Sequence, residues 1–288
     1  MKNRKGLIFL LIAAVCWGAG YVSQSFGLRH LGPLAMVCTR YIVATAVLLP
    51  TALRNVPLTG EGPSIWRRCA FTGFITGLPM AAAMILQQMG LGDTGAGKGA
   101  FLSSLYIIIT PIMGLFLRKK VRNKVWAAVA LALLGSYFLC VTESFTLGQG
   151  DIYVLLCALL FSVQIHIFEK VGDNGYPIIH SFFAELTVCV TSFVLMLTGG
   201  QVPDLNALKA AFLPILFTGI VAGSIADTCA VIGQRESEPS VAPLVMSLES
   251  VFGVLFGILI LHETLTMREV AGCVLIFAGV LIAQLKDR

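Results

Sequence analysis

The chain has 288 residues, 57% of them hydrophobic and only 12% charged. A soluble domain carries roughly 25% charged residues, so this chain cannot cover a water-facing surface with polar groups. Disorder, a basic nucleic-acid-binding tail and a disulfide-rich secreted module are excluded, and the formal charge of +5 has to be read by position.

A helix needs about 20 apolar residues to cross the hydrocarbon of a bilayer. Apolar runs divided by polar or Gly/Pro punctuation predict ten helices, near 6–26, 34–51, 67–89, 95–117, 122–141, 151–170, 177–198, 208–232, 240–261 and 267–285. Ten crossings use roughly 210 residues, which leaves no room for a separate soluble domain. Lys2, Arg4 and Lys5 precede the first run as they would in a signal peptide. The run is longer than a signal core and no cleavage site is convincing, so it reads as an uncleaved span. The eight cysteines contain no C-x-x-C and nearly all sit in apolar runs. They read as small hydrophobes, with no disulfide framework, metal site or cofactor implied.

Orientation follows from Lys and Arg in short loops. With the N-terminus inside, the inner loops hold Arg54, Arg67, Arg68, Arg118, Lys119, Lys120, Arg122, Lys124, Lys170 and Arg235, while the outer side holds only Arg29, Lys98, Lys209 and Arg268. The expectation is a multi-pass protein of the cytoplasmic (inner) membrane with both termini cytoplasmic.

The two halves resemble each other. Gly6 to Trp17 lines up with Gly150 to Phe161, and Gly135 with Gly279, at a shift of 144. Gly73-x-x-x-Gly77 answers to Gly219-x-x-x-Gly223, Gln88 to Gln234, and Ser104-Leu105-Tyr106 to Ser247-Leu248-Glu249, at nearly that shift. The chain therefore divides into repeats at 1–143 and 144–288. Five spans per repeat is odd, so the second enters the membrane inverted, a recurrent transporter design with a site between the halves. The glycine pairs predict close helix packing. Pro79, Pro111, Pro214 and Pro243 sit inside apolar runs and predict kinks.

Two motifs are rejected. Gly92 to Gly99 nearly spells a phosphate-binding loop, but Gly99 stands where Ser or Thr must hold magnesium and no strand precedes it. His262-Glu263 lacks the second His of a zinc helix. The informative residues are polar groups inside apolar runs, because a charge in the bilayer needs a cavity or a partner. These are Arg40, Glu185, Asp227 and Glu249, with Gln24, Gln87, Gln88, Gln164, His166 and Gln234 adding hydrogen-bonding capacity and Trp17, Tyr21 and Tyr106 aromatic walls. Glu249, near mid-span between Ser247 and Ser250, is the strongest candidate for binding substrate and for exchanging a proton against a substrate ammonium. Arg40 either pairs with Glu185, one position from its repeat equivalent, or snorkels to the outer interface. Gln164 and His166 fall near the inner end of their span and are expected at the interface. His180 has no distinguishing context.

Trp17-Gly18-x-Gly20-Tyr21, Pro33 followed by Arg40, Gln87-Gln88-x-Gly90-Leu91 with Gly97-Lys98-Gly99-Ala100-Phe101, Ser104-Leu105-Tyr106 with Pro111, Ala242-Pro243 with Ser247 to Phe252, and His262-Glu263-Thr264-Leu265-Thr266 run in order along the chain. In that order they resemble the EamA-type members of the drug/metabolite transporter superfamily. The resemblance implies ten helices in two inverted repeats and ATP-independent alternating access for small metabolites. It implies a cavity built by spans 1, 3, 4, 6, 8 and 9, with spans 2 and 7 as gates. Carried over, it makes Trp17, Tyr21, Gln88, Tyr106, Asp227 and Glu249 cavity residues beside Arg40, with Arg40, Glu185 and Glu249 as gate or coupling groups. One departure stands out: relatives carry an acid after the fourth span, where this chain has Arg118-Lys119-Lys120. The expected function is a secondary transporter exporting amino acids or similar small polar metabolites, as monomer or homodimer. Competing classes are a passive channel or structural membrane subunit and, behind them, a membrane-embedded enzyme, for which no clustered nucleophile or metal set is found.

Overall fold

A computed structural model describes residues 2–57, 62–94, 101–140, 148–172, 175–261 and 266–284. The rejected loop between Gly95 and Gly99 and the His262 to Leu265 stretch lie outside these. Helices are labelled here in chain order: α1 Lys2–Gly27, α2 Pro33–Arg54, α3 Gly62–Thr94, α4 Phe101–Phe116, α5 Asn123–Cys140, α6 Gln149–Val171, α7 Pro177–Thr198, α8 Phe212–Arg235, α9 Ala242–Ile260 and α10 Met267–Gln284. A short helix, Leu205–Ala210, precedes α8 and is N-capped by Asp204, whose carboxylate accepts from the Ala207 N–H at 2.7 Å. The described residues contain no strand. Seven runs are long and apolar enough to cross a membrane, namely α1, α2, α3, α6, α7, α8 and α9. The apolar α4 is shorter, and α5 and α10 have 18 residues each.

The helix ends follow their residues. Pro33 opens α2 with a missing N–H that costs nothing there, and the Leu34 N–H is capped by the Gln201 side chain at 3.2 Å. Gly200, at φ +64°, turns the chain out of α7. Arg118, at φ +58°, does the same after α4 without being glycine, and the Lys119 N–H closes on the Gly114 carbonyl at 2.8 Å.

Side chains pack into two main groups. One joins α4, α5, α9 and α10 with faces of α1 and α6, through Leu10, Ile107, Val129, Leu244 and Ile276. The other joins α2, α3, α7 and the start of α8, through Met36, Tyr41, Ile85 and Val188. Glycines set the closest approaches. A β-carbon on Gly135 would lie 2.6 Å from the Gly272 carbonyl, and one on Gly279 would lie 2.7 Å from the Ala128 carbonyl, so α5 and α10 touch backbone to backbone. Gly73 and Gly77 seat α3 on α7 at His180 and Ala184, and Gly219 and Gly223 seat α8 on α2 at Arg40 and Ala44. The predicted packing role of both pairs holds. Outward faces carry exposed large apolar side chains such as Ile8, Phe74, Leu213, Leu259 and Val274. An apolar surface of this kind marks a side that faces lipid or another protein.

Candidate functional site

Three local irregularities build the site. The first is in α1, where Gly18 presses against the Glu249 carbonyl and the Phe252 β-carbon of α9, and Gly20 against the Ala222 side chain of α8. Side chains on either side of these contacts, Trp17 and Tyr21, are thereby held at the cleft between α8 and α9. The second is in α8, where Thr218–Ile225 widens into a π-helical turn. There Thr218 bonds back to the Pro214 carbonyl at 2.6 Å, and Ser224 donates across to the Ala44 carbonyl of α2 at 3.0 Å. The Ala222 carbonyl, within this turn, accepts the Trp17 indole N–H at 2.9 Å. Such turns often sit at functional sites.

The third irregularity occurs twice. The helix of α4 is interrupted at Leu105 and that of α9 at Ser247. Beside each break a serine hydroxyl bonds back to its own helix, Ser104 to Phe101 at 2.7 Å and Ser247 to Leu244 at 2.8 Å. Tyr106 and Glu249, equivalent in the aligned halves, follow these breaks, and both face the same cavity.

That cavity, of about 70 Å³, is lined by Trp17, Tyr21, Gln24, Arg40, Met84, Gln87, Ser103, Tyr106, Phe161, Gln164 and Glu249, among others. A second cavity, of about 60 Å³, lies toward the start of α7 and the end of α8, and takes in Thr76, His180, Ser181, Glu185, Asp227 and Gln234. Trp17, Met84, Phe161, Gln164 and Met246 line both, so the two cavities adjoin along a shared wall.

Asp227 is held at the second cavity by two neutral donors. The Trp17 indole donates to its Oδ1 at 3.0 Å and the Tyr41 hydroxyl to its Oδ2 at 3.2 Å. Arg40 is 6% exposed. Its guanidinium stacks 4.8 Å from the Tyr41 ring, and Nη2 points to the Tyr41 hydroxyl at 3.4 Å and the Met84 sulfur at 2.9 Å. Its Nε is buried without an acceptor. Glu185 is fully buried, and neither of its carboxylate oxygens has a hydrogen-bond partner. Glu249 is half-buried, and its Oε1 accepts one long bond from the Tyr21 hydroxyl at 3.4 Å.

The sequence expectations fare unevenly here. Trp17, Tyr21, Arg40, Tyr106 and Glu249 meet at the first cavity, while Glu185 and Asp227 face the second. Gln88 is buried with no partner and lines neither; its neighbour Gln87 does. Arg40 is buried rather than snorkelling, and it interacts electrostatically with Glu185 without a hydrogen bond to either of its oxygens. Gln164, expected at an interface, belongs to the wall between the cavities. His166 is buried and donates from Nε2 to the Thr110 carbonyl at 2.9 Å. His180, unremarkable in sequence, is fully buried at the second cavity with Thr72 at 3.2 Å from Nδ1 and Thr76 at 3.0 Å from Nε2. Phe161, Met84 and Met246 were not anticipated at the site. For Phe161 a signal existed, since it is the repeat counterpart of Trp17.

The model of the EamA-like transporter family matches this chain twice, over residues 4–141 and 148–284. An uncharacterized transporter of Archaeoglobus fulgidus is 27% identical over 278 residues, covering 96% of this chain and 85% of its own length. A probable amino-acid metabolite efflux pump of Salmonella typhimurium is 28% identical over 304 residues, covering 98% and 95%. One crystal structure superposes with a TM-score of 0.81 over 98% of this chain and 97% of its own, at 15% identity, a likeness of fold alone.

Proposed function

Because the chain belongs to the EamA-like transporter family, we propose that it is an ATP-independent, alternating-access carrier that exports amino acids or similar small polar metabolites, and not an enzyme. The observation that carries this reading is the pair of cavities that adjoin along five shared side chains. A continuous pore would serve a channel; two cavities meeting at the middle of the bundle suit a carrier that opens one side at a time. The export of amino acids draws on the name of the Salmonella relative.

In this reading the ten helices are ten spans in two inverted repeats, 1–143 and 144–288. The seam of α5 and α10 supports it. Gly135 meets Gly272 and Ile276 while Gly279 meets Ala128 and Ala132, and each of the three correspondences (135 to 279, 128 to 272, 132 to 276) is 144 positions. A two-fold relation makes a contact answer itself in this way. Both termini are cytoplasmic and the membrane is the cell's inner one. In support, basic residues gather at the end where α1 starts. There Lys119 pairs with Glu169, and Arg122 with Glu238 at 3.2 Å and with the Ala283 carbonyl at 3.3 Å. The protein works as monomer or homodimer without a cofactor. The first cavity is the substrate site, and Glu249 exchanges a proton for substrate.

Proteoliposomes test this. Labelled amino acids should exchange across the membrane without ATP, and Glu249→Gln should remove the response to a pH gradient while exchange persists. Single-channel currents would replace the carrier with a channel. Absence of any flux across a broad metabolite panel would end the transport reading.

A further inference from the structure

The turn between α4 and α5 carries Arg118, Lys119, Lys120, Arg122 and Lys124, and the transport reading gives these residues no work. The protein answers some of these charges itself. Lys119 pairs with Glu169, and Arg122 with Glu238 at 3.2 Å. Glu169 is shared further, since its Oε2 also lies 3.5 Å from His166 Nδ1. Arg118 and Lys120 are exposed, and among the described residues their side chains have no ion pair or hydrogen bond. Neither is needed to close α4. The last carbonyls, Met113, Leu115 and Gly114, already accept from the backbone N–H groups of Leu117, Arg118 and Lys119 at 3.0, 2.9 and 2.8 Å. Arg118 also holds the turn at φ +58°, where glycine would sit without strain. Immediately before these cations the helix ends on bare apolar side chains: Phe116 is 85% exposed, and Leu115 and Leu117 are exposed beside it.

We infer that this turn is a docking site for an anionic phospholipid, with Arg118 and Lys120 on the headgroup phosphate and Phe116 and Leu117 along the acyl chains. Charge and shape together name the occupant. Aromatic and aliphatic side chains next to Lys and Arg are the composition of a segment seated at the boundary of headgroup and acyl chain. A free anion would leave Phe116 bare. A zwitterionic lipid brings its own cation beside its phosphate, so the two charges of the turn stay uncompensated. An anionic lipid answers the cations and the ring at once. Each basic residue near an anionic membrane surface strengthens binding about fivefold, or roughly thirtyfold for two. The inference needs only that the helices lie in a bilayer, and it stands or falls apart from the carrier reading.

The test uses the purified full chain in detergent with equal amounts of phosphatidylglycerol and phosphatidylcholine of the same acyl chains, read by native mass spectrometry. The native protein should retain phosphatidylglycerol over phosphatidylcholine by about tenfold or more, and the preference should fade as salt is raised, because exposed charges are screened. Arg118→Gln with Lys120→Gln should erase the preference. Arg54→Gln with Arg67→Gln removes the same charge from exposed positions elsewhere and should leave it in place. Arg118→Gly removes one cation and relieves the backbone, so its loss of preference cannot be laid to misfolding. Phe116→Ala should weaken retention of both lipids. Equal retention of the two lipids by the native protein overturns the inference without any variant. Equal losses in the two double variants overturn it too, since the attraction would then be diffuse. Displacement of the lipid by glycerol phosphate at the same concentration, with Phe116→Ala silent, would make the turn a free-anion site and end the lipid assignment.

Discussion

The seam between α5 and α10 and the seams made by the two glycine pairs are built from the same material, yet they differ in register. In the first, each backbone contact and its counterpart are 144 positions apart, so each half meets the other in the same way. In the second, Gly73 sits on His180 and Phe183 while Gly219 sits on Arg40 and Val43. Gly73 and Gly219 are 146 apart, but His180 and Arg40 only 140, as are Phe183 and Val43. Pro33 and Pro177, which open α2 and α7, keep the 144 spacing. Relative to those helix starts, α8 meets α2 about one turn deeper than α3 meets α7. If the halves are inverted repeats, the α5–α10 seam is a fixed staple and the glycine-pair seams are where one state of the carrier has broken the symmetry. A slip of one turn along a small-residue contact is a known size for a switching step.

Four predictions sharpen or break this contrast. The largest effect belongs to the staple. Gly135→Leu and Gly279→Leu should each destabilise by about 3 kcal/mol or more, since the side chain would have to enter backbone. Thermal unfolding in detergent should give matched losses, and a clear inequality would show that the seam is not self-answering. Next come Gly73→Ala and Gly219→Ala, with a smaller cost of about 1–2 kcal/mol and a disproportionate drop in exchange rate at saturating substrate. A stability loss with full exchange rate would make these seams as static as the other.

Trp17→Phe probes the wall between the cavities. It keeps the ring but removes the donor to the Ala222 carbonyl and to Asp227. The expected loss is about 1–3 kcal/mol of unfolding free energy. Phe161→Tyr, at the repeat position, should change stability less, because no acceptor there is being released. The smallest effect is at Arg118, outside both seams. Its left-handed backbone costs a non-glycine residue about 1 kcal/mol, so Arg118→Gly should raise the unfolding temperature slightly. No rise would mean that the arginine side chain offsets its own strain.

Much of the fold was legible because bilayer helices announce themselves by length and apolarity. The Gly-x-x-x-Gly pairs pointed to packing, and the packing is there. Trp17, Tyr21 and Glu249 were legible as polar or amphipathic groups in runs that should hold none. What failed did so for geometric reasons. Gln87 and Gln88 are chemically identical and point about 100° apart on a helix, so only the rotation of α3 decides which one lines the cavity. Arg40 and Glu185 interact electrostatically but share no hydrogen bond, and the glycine-pair seams do not keep the uniform shift between halves that a direct pairing assumes. Met84 and Met246 look like ordinary core residues, and no pattern of charge marks a methionine as part of a dividing wall.

The side chains shared by the two cavities have an electrical consequence. If water reaches the two cavities from opposite sides of the membrane, most of the membrane voltage falls over the side chains they share. Moving one elementary charge past them costs or yields about 2.3 kcal/mol per 100 mV. A substrate carrying equal and opposite charges crosses with no net work against the voltage. Traffic of neutral zwitterions would therefore be insensitive to membrane potential unless a proton travels with it, and the voltage dependence of flux would count the charges moved in each cycle.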